Sequence, residues 1–157
     1  MKPKIGLIGA GNIGAELYRR TQNRKWDVEA VIDIDGIYRG LPKKEKLGEV
    51  GDYTKYISGL DLGFLAIPTL DEGNLAFRYM KDCLDRNVPI VTCEKGALSN
   101  HFSELENEIK KGRIGYSATV GQVDDLTNQC SDLTTVANIN LSPFGIEYCL
   151  RTLRRIF

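Results

Sequence analysis

The stretch Lys4-Ile5-Gly6-Leu7-Ile8-Gly9-Ala10-Gly11-Asn12-Ile13-Gly14 decides the fold of this chain. Its apolar first half is typical of a strand, its second half is a G-x-G-x-x-G motif, and an amphipathic segment, residues 13–20, follows. In such a turn Gly9 allows a sharp bend, Gly11 leaves no side chain between the backbone and a pyrophosphate, and Gly14 lets the helix pack closely. The motif predicts a βα unit that binds a dinucleotide, and a glycine-rich turn that binds nothing is the alternative.

The first turn of the predicted helix is expected to hold the pyrophosphate, because its N–H groups and the helix dipole attract an anion. A second apolar run, residues 28–32, ends at Asp33, which lies 19 positions after the third glycine (33 − 14). At about this distance an acid hydrogen-bonds the adenosine ribose. A carboxylate there repels a 2′-phosphate, so we expect NAD to be preferred, with NADP as the second candidate. The expected cofactor-binding residues of this unit are Gly9, Gly11, Asn12, Ile13, Gly14 and Asp33.

Composition limits the class of protein. The 157 residues have the size of one domain and can bury a core without disulfide bonds. Lys plus Arg and Asp plus Glu number 21 each, so the net charge is zero and we expect neither nucleic acid nor a membrane as partner. The chain has no apolar run long enough to span a bilayer. Its first residues lead directly into the predicted strand, so we expect no signal peptide.

The cysteines and the histidine show no recognisable site. The cysteines, Cys83, Cys93, Cys130 and Cys149, form no C-x-x-C pair and have no histidine at ligand spacing. We interpret them as buried free thiols of a cytoplasmic protein, and we expect no metal. The sole histidine, His101, is interpreted as a satisfied or solvent-facing side chain.

Strands and helices alternate along the chain, which predicts a Rossmann-type α/β fold: a doubly wound, mostly parallel sheet with helices on both faces. Residues 36–59 are rich in glycine and contain Pro42 and the charge run Lys43-Lys44-Glu45-Lys46. We expect a surface connection there, with at most a short strand or helix near residues 53–57. The charge run is interpreted as a solvated face rather than a binding patch.

Residues 61–67 form a nearly continuous apolar run, typical of a strand buried on both faces, which Pro68 ends. Thr69 and Glu72 fit a capping box, which predicts a helix from there to about Arg86. The positions expected to be buried in that helix are Ala76, Met80, Cys83 and Leu84. Ligands sit at the carboxyl ends of strands in such sheets. The expected lining of the cofactor crevice is therefore Ala66, Ile67, Pro68 and Thr69, with a strand end that touches only solvent as the alternative.

A further strand, residues 88–92, delivers Cys93-Glu94-Lys95-Gly96 to the same edge of the sheet. A helix over 102–111, ended by Gly112, and a strand over 114–120 are predicted after it. The buried stripe expected for the helix is Phe102, Leu105 and Ile109. A lysine just past a strand is more often exposed than functional. However, Lys95 places a cation where a phosphate, the nicotinamide amide or a substrate carbonyl would lie, so Lys95 and Gly96 are candidate site residues.

Four segments resemble the nucleotide-binding domain of homoserine dehydrogenase. They are Gly9 to Gly14, Ala66-Ile67-Pro68, Val91 to Leu98, and Tyr116-Ser117-Ala118-Thr119-Val120-Gly121. The segments around Lys95 and over 117–121 are the more specific ones, since many dehydrogenases share the glycine loop. The resemblance implies NAD(P)-dependent interconversion of aspartate semialdehyde and homoserine, with Lys95 beside the cofactor and the active site. Glu94 departs from the family pattern, in which an asparagine is common.

The chain also departs from that family after Gly121. The family continues with a long substrate domain, whereas 36 residues follow here (157 − 121), too few for such a domain. We expect a dinucleotide-binding domain over residues 1–121 and a tail, residues 122–157, packed on it as a strand and a C-terminal amphipathic helix. That helix is expected to cover the sheet or to pair with its copy in a homodimer. Asp124 and Asp125 are interpreted as polar loop acids.

Three functions remain open on these grounds. The first is the cofactor domain of an oxidoreductase resembling homoserine dehydrogenase, incomplete as an enzyme, which would act on a small amino-acid-derived substrate with Lys95 as catalytic residue. The second is a stand-alone NAD-binding or redox-sensing module. The third is a small dehydrogenase such as aspartate dehydrogenase, whose nucleotide domain is similarly built.

Overall fold

The computed structural model describes residues 2–22, 26–43 and 45–116. The strands of this part of the chain are β1 (Lys4–Ile8), β2 (Asp27–Asp33), β3 (Gly36–Arg39), β4 (Glu45–Gly48), β5 (Leu62–Leu65), β6 (Ile90–Thr92) and β7 (Ile114–Gly115). Its helices are α1 (Asn12–Thr21), α2 (Tyr53–Ile57), α3 (Asn74–Asp85), α4 (Gly96–Asn100) and α5 (Phe102–Lys110). Short 3-10 turns, Val50–Asp52 and Asp71–Gly73, precede α2 and α3.

The strands form one sheet in the order β4-β3-β2-β1-β5-β6-β7. Five neighbouring strands are parallel: β2, β1, β5, β6 and β7. β3 and β4 extend the sheet beyond β2 as an antiparallel hairpin. The chain leaves β1 towards β2 and later returns to β5 on the other side of β1. The strand order therefore reverses between β1 and β5, which is where open α/β sheets bind ligands. The predicted doubly wound, mostly parallel sheet is confirmed.

Side chains that alternate along each strand divide the core into two layers, one on each face of the sheet. Leu7, Val31 and Phe64 pack with Leu17 of α1 on one face. The other face packs against the remaining four helices, α2 to α5; its strand residues include Ile8, Ile32, Leu65, Ile90 and Ile114. Helices therefore cover both faces, as predicted. Ala76, Met80, Cys83 and Leu84 are buried on α3, also as predicted.

The segment 36–59 contains more structure than predicted. Of the short strand or helix expected near residues 53–57, a helix is present as α2, but the two strands of the hairpin were missed. Ile37 of β3 is fully buried and pairs with Ile32, so this part of the segment belongs to the core rather than to a surface connection. Each hairpin strand has four residues. β3 depends on pairing with β2 and β4 on pairing with β3, which periodicity along the chain does not show.

Two local predictions around the later helices were wrong, and one helix was missed. Thr69 and Glu72 do not form a capping box: α3 begins at Asn74, Gly73 precedes it, and Thr69 donates its hydroxyl proton to Glu94 instead. The short helix α4 was not predicted. Phe102 is 39% exposed and does not belong to the buried stripe of α5, whereas Leu105 is fully buried. The Thr69 contact depends on Glu94, which lies in the neighbouring loop after β6.

Several predictions concern residues that the structure does not describe. They are the continuation of the last strand over 117–120, the motif residues Ser117 to Gly121, and the tail 122–157 with its strand, its amphipathic helix, Asp124 and Asp125. Among the described residues, none of the helices combines the length and apolar character that crossing a membrane requires.

Candidate functional site at the carboxyl edge of the sheet

The carboxyl ends of β1 and β5 lie side by side at the point where the strand order reverses. Ile8 is the register partner of Leu65, and the Ala66 N–H donates to the Ile8 carbonyl oxygen at 2.7 Å. The Gly9 N–H donates to the Ile32 carbonyl oxygen at 2.8 Å, which holds the start of the glycine loop on the end of β2. The structure thus brings the predicted glycine loop and the predicted crevice residues to one edge.

The three glycines of the loop meet different surroundings. A Cβ atom at Gly9 would lie 2.4 Å from the Ala66 carbonyl oxygen, and its φ of 98° is one that side-chain-bearing residues rarely adopt. A Cβ atom at Gly14 would lie 2.0 Å from the Gly9 carbonyl oxygen, so α1 packs against the loop itself as well as near Leu7. A Cβ atom at Gly11 would meet no protein atom within 4 Å. Packing therefore accounts for Gly9 and Gly14, and Gly11 faces open space.

The amino end of α1 has no internal cap. The Gly11 carbonyl accepts the first helical bond, from the Ala15 N–H at 2.8 Å, so the N–H groups of Asn12, Ile13 and Gly14 precede that bond. No side chain caps this end and no acidic residue lies in its first turn. Gly11 and Asn12 are exposed and Ile13 is half-buried. This helix end, at the switch point of the sheet, offers its donors and the positive end of its dipole to an anion.

Asp33 ends β2, as predicted, and its carboxylate is ion-paired. Lys43 Nζ lies 3.0 Å from Asp33 Oδ2 and 2.5 Å from Asp35 Oδ1. Hydrogen bonds to Asp35 and to Asp33 raise the pKa of Lys43 to about 12, so the ammonium is fully charged at neutral pH. The same lysine holds the pKa of Asp35 below its usual range. Sequence reasoning assigned Lys43 to a solvated run and missed this contact. Lys43 lies between β3 and β4, and the fold of the hairpin brings its ammonium to Asp33 at the end of β2.

Glu94 follows β6 at the edge of the sheet where the sequence placed it, but its hydrogen bonds there were not predicted. It is only 2% exposed, and its carboxylate accepts hydrogen bonds from two loops. Oε1 accepts from the Gly96 N–H at 2.6 Å and from the Thr69 hydroxyl at 2.5 Å, and Oε2 accepts from the Ala97 N–H at 2.8 Å. The Glu94 carboxylate therefore occupies the amino end of α4. An acidic residue just before a helix is a known capping signal, but α4 itself was not foreseen.

The loops after β5 and β6 also touch through their backbones. A Cβ atom at Gly73 would lie 2.2 Å from the Ala97 nitrogen, and one at Gly96 would lie 3.2 Å from the Gly73 Cα. Ala66 is buried, Ile67 is half-buried, and Pro68 and Thr69 are exposed at this edge. Lys95, between Glu94 and Gly96, is half-buried and immediately precedes α4. The structure thus brings all the predicted site residues after β5 and β6 to one edge, in two loops that Glu94 joins.

The remaining candidate groups have structural partners. The His101 ring stacks on Phe77 with 4.1 Å between centroids, and its Nε2 lies 2.8 Å from Asn74 Oδ1, so the histidine is satisfied, in agreement with one of the two expectations. Cys83 and Cys93 are buried thiols that form no disulfide bond, and Cys130 and Cys149 lie outside the described residues. Within the described ranges there is no group of three or more His, Cys, Asp or Glu side chains that could hold a metal ion.

Comparison with known proteins finds the fold in homoserine dehydrogenases. The enzyme from Thermoplasma acidophilum superposes with a TM-score of 0.64 at 17% identity, over 82% of this chain and 48% of that chain. A hyperthermophilic archaeal homoserine dehydrogenase in complex with NADPH gives 0.60 at 18% identity, over 76% and 45%. The enzyme from S. aureus gives 0.59 at 15% identity, over 77% and 34%. The chain spans less than half the length of each of these proteins.

The likeness to homoserine dehydrogenases that the sequence motifs indicated is thus confirmed at the level of the fold. No family model matches the chain, and no curated protein matches it.

Proposed function

We propose that this chain is the dinucleotide-binding part of an NAD(P)-dependent oxidoreductase similar to homoserine dehydrogenase. One observation carries the proposal: the amino end of α1 has no cap, lies at the switch point of the sheet, and is preceded by Gly11, which faces open space. Gly11 is the N-cap of α1, and in a protein that bound nothing a Ser, Asp or Asn there would stabilise the helix better than a glycine does. The likeness in fold to an NADPH complex supports the same assignment.

The pyrophosphate is assigned to α1 rather than to α4. Both helices begin at the carboxyl edge of the sheet, but the N–H groups of Gly96 and Ala97 already donate to Glu94. A second anion at α4 would meet the Glu94 carboxylate, which opposes it. The N–H groups of Asn12, Ile13 and Gly14 would therefore receive the pyrophosphate, with Gly9 and Gly11 letting it approach the backbone.

The other cofactor contacts follow from the strand ends. Asp33 would accept a hydrogen bond from the adenosine ribose at the end of β2, which favours NAD over NADP. Ala66, Ile67, Pro68 and Thr69 would line the crevice where the chain passes from β5 towards α3. The nicotinamide group, when bound, supplies or accepts the hydride.

Lys95 is the residue of the described part that we assign to the chemistry. Its half-buried position between a strand end and α4 suits a cation that polarises the carbonyl of a small amino-acid-derived substrate, such as aspartate semialdehyde, or that holds the cofactor amide. Glu94, fixed by three hydrogen bonds, restrains the backbone on which Lys95 stands. We assign the proton donor of the reaction to residues other than those described here.

The test compares Gly11→Ala with Gly51→Ala. A Cβ atom at either position meets no protein atom within 4 Å, so neither variant introduces a clash. Gly51→Ala should keep the wild-type melting temperature, and Gly11→Ala, which changes the N-cap of α1, should cost about 0.5–1 kcal/mol and still fold. The wild type and Gly51→Ala should bind NADH, followed by calorimetry or nicotinamide fluorescence, whereas Gly11→Ala should bind it at least about tenfold more weakly, a loss of about 1.4 kcal/mol. Equal affinity of the two variants would contradict the proposed pyrophosphate site, and no binding of NADH or NADPH by the wild type would refute the function.

Adding substrate to the NAD-bound wild type separates the alternatives. Nicotinamide reduction with homoserine would show that the chain is a complete enzyme of this type, and reduction with aspartate would favour the aspartate dehydrogenase hypothesis. Binding of NAD without either reaction is the result that we expect of a cofactor domain, and it is also what a redox-sensing module would give. Adding the substrate domain of a homoserine dehydrogenase in trans tells these two apart. Turnover that Lys95→Met abolishes would indicate a cofactor domain, and no turnover would favour the redox-sensing module.

A further inference from the structure

The Lys43 ammonium lies between two carboxylates at the end of β2. It is 3.0 Å from Asp33 Oδ2 and 2.5 Å from Asp35 Oδ1, and it lies 5.1 Å from the centroid of the Tyr38 ring. The Lys43 side chain remains 32% exposed, and that of Asp33 22%. The cation is therefore held in place by the hairpin while part of it still faces solvent at the edge where the adenosine ribose is proposed to bind.

This pairing changes the charge that a ribose substituent meets. Two carboxylates without a lysine carry a charge of −2, and a 2′-phosphate, which itself carries about −1.5 to −2, would be strongly repelled. With Lys43 the cluster carries −1, and the ammonium offers donors to an approaching phosphate oxygen. The carboxylate of Asp33 can still accept a hydrogen bond through its other oxygen, so the free 2′-hydroxyl of NAD(H) can bind there as well.

We propose that Lys43 sets the choice between the two dinucleotides, by neutralising Asp33 and supplying the cation that admits the 2′-phosphate of NADP(H). This inference rests on the proposed dinucleotide-binding function. It predicts that the wild type prefers NADH over NADPH by less than tenfold, despite an acid at the position that excludes NADPH in many dinucleotide-binding folds.

A purely structural role for Lys43 makes a different prediction. If the lysine only fastens the hairpin to the end of β2, its removal lowers the melting temperature and weakens both nucleotides to the same degree. If it also contacts the ribose substituent, its removal mainly lowers the affinity for NADPH. The ratio of the two affinities therefore distinguishes the roles even where the variant is somewhat less stable.

The experiment measures dissociation constants of NADH and NADPH at one fixed ionic strength for the wild type, Lys43→Gln, Lys43→Arg and Lys110→Gln. Lys110 is the matched control: it forms an exposed pair with Glu106 near the end of α5, which leads into the amino end of β7 at the opposite edge of the sheet. We expect Lys43→Gln to weaken the binding of NADPH by about tenfold and that of NADH by less than twofold. The reason is that one unit of positive charge is lost next to the doubly charged 2′-phosphate, which NADH lacks. Lys43→Arg and Lys110→Gln should retain the wild-type ratio.

The affinities of adenosine fragments show whether the effect of Lys43 depends on the 2′-phosphate. Adenosine 2′,5′-bisphosphate should lose affinity in Lys43→Gln as NADPH does, while adenosine 5′-phosphate should not, and the loss should shrink as salt is raised. Equal weakening of NADH and NADPH in Lys43→Gln would overturn the proposal. Failure of the wild type to bind either nucleotide would instead refute the dinucleotide-binding function, and this inference with it.

Discussion

The hydroxyl of Thr69 donates a hydrogen bond to Glu94 Oε1 at 2.5 Å, which ties the loop after β5 to the loop after β6. The same carboxylate receives the first two N–H groups of α4. One buried side chain thus fixes the relative position of two loops that come from different strands. Because Lys95 directly follows Glu94, this connection also fixes the backbone of the proposed catalytic lysine.

Replacing Glu94 by Gln should destabilise the protein by about 1–3 kcal/mol, because the amide has one acceptor oxygen for three donors and its own NH₂ group would face an N–H. Urea unfolding would measure the change. Glu106→Gln, at an exposed position paired with Lys110, should leave the midpoint unchanged. A Glu94→Gln variant as stable as the wild type would show that the three hydrogen bonds do not hold these loops.

Gly73→Ala should destabilise more than Gly59→Ala. Both glycines have positive φ, 90° and 82°, so alanine costs about 1–2 kcal/mol of backbone strain at either site. At Gly73 the added Cβ atom would also lie 2.2 Å from the Ala97 nitrogen and push the two loops apart, whereas at Gly59 it would meet nothing within 4 Å. Thermal unfolding of the two variants provides the comparison, and equal losses would mean that the loops separate without cost.

Stability should fall at alkaline pH because of Cys83. Burial raises the pKa of this thiol from 9.0 to about 12. Between these values the unfolded chain loses the thiol proton and the folded chain keeps it, so each pH unit costs up to about 1.4 kcal/mol of unfolding free energy. Denaturant titrations at several pH values from 8 to 11 should show this slope, and Cys83→Ala should reduce it.

Tyr53 and Tyr79, whose pKa values burial also raises, should keep part of the alkaline slope in the Cys83→Ala variant. An identical slope in the wild type and Cys83→Ala would contradict the role of the thiol.

Leu105→Ala and Phe102→Ala should have very different effects although both residues are large and apolar on α5. Leu105 is fully buried, and its truncation should cost about 2–5 kcal/mol. Phe102 is 39% exposed, so its truncation should cost much less. Chemical denaturation of both variants measures the difference. A large loss at Phe102 would place it in a contact with residues outside the described part of the chain.

The features that sequence predicted well are those that the local chain itself requires. The glycine loop, α1 and the position of Asp33 follow from a bend, a helix start and a strand length that neighbouring residues determine. The buried positions of α3 follow from helical spacing in the same way. For these elements the tertiary contacts agree with what the local pattern already favoured.

The features that sequence missed depend on partners far along the chain. Thr69 has one hydroxyl proton, and a carboxylate 25 residues away receives it in place of the local capping box. Lys43 is one of three lysines in a charge run, and only the fold of the hairpin brings it to Asp33. Strands β3 and β4 are too short to show a period, and they are defined by the pairing of β3 with β2 and of β4 with β3. Side-chain and strand partners of this kind cannot be read from spacing alone.

The hairpin formed by β3 and β4 has a consequence for how this site can evolve. The proposed pyrophosphate loop, residues 9–14, and the lysine that we assign to the ribose substituent lie on separate pieces of chain on either side of β2. A substitution at position 43 alters the charge beside Asp33 without replacing any residue of the glycine loop. Exchange of the whole hairpin would also remove Tyr38 and Leu41, which pack against the same core cluster as Ala10 and Ile13. We therefore expect that a change at position 43 can alter cofactor choice, by selection or by engineering, without rebuilding the scaffold that carries the site.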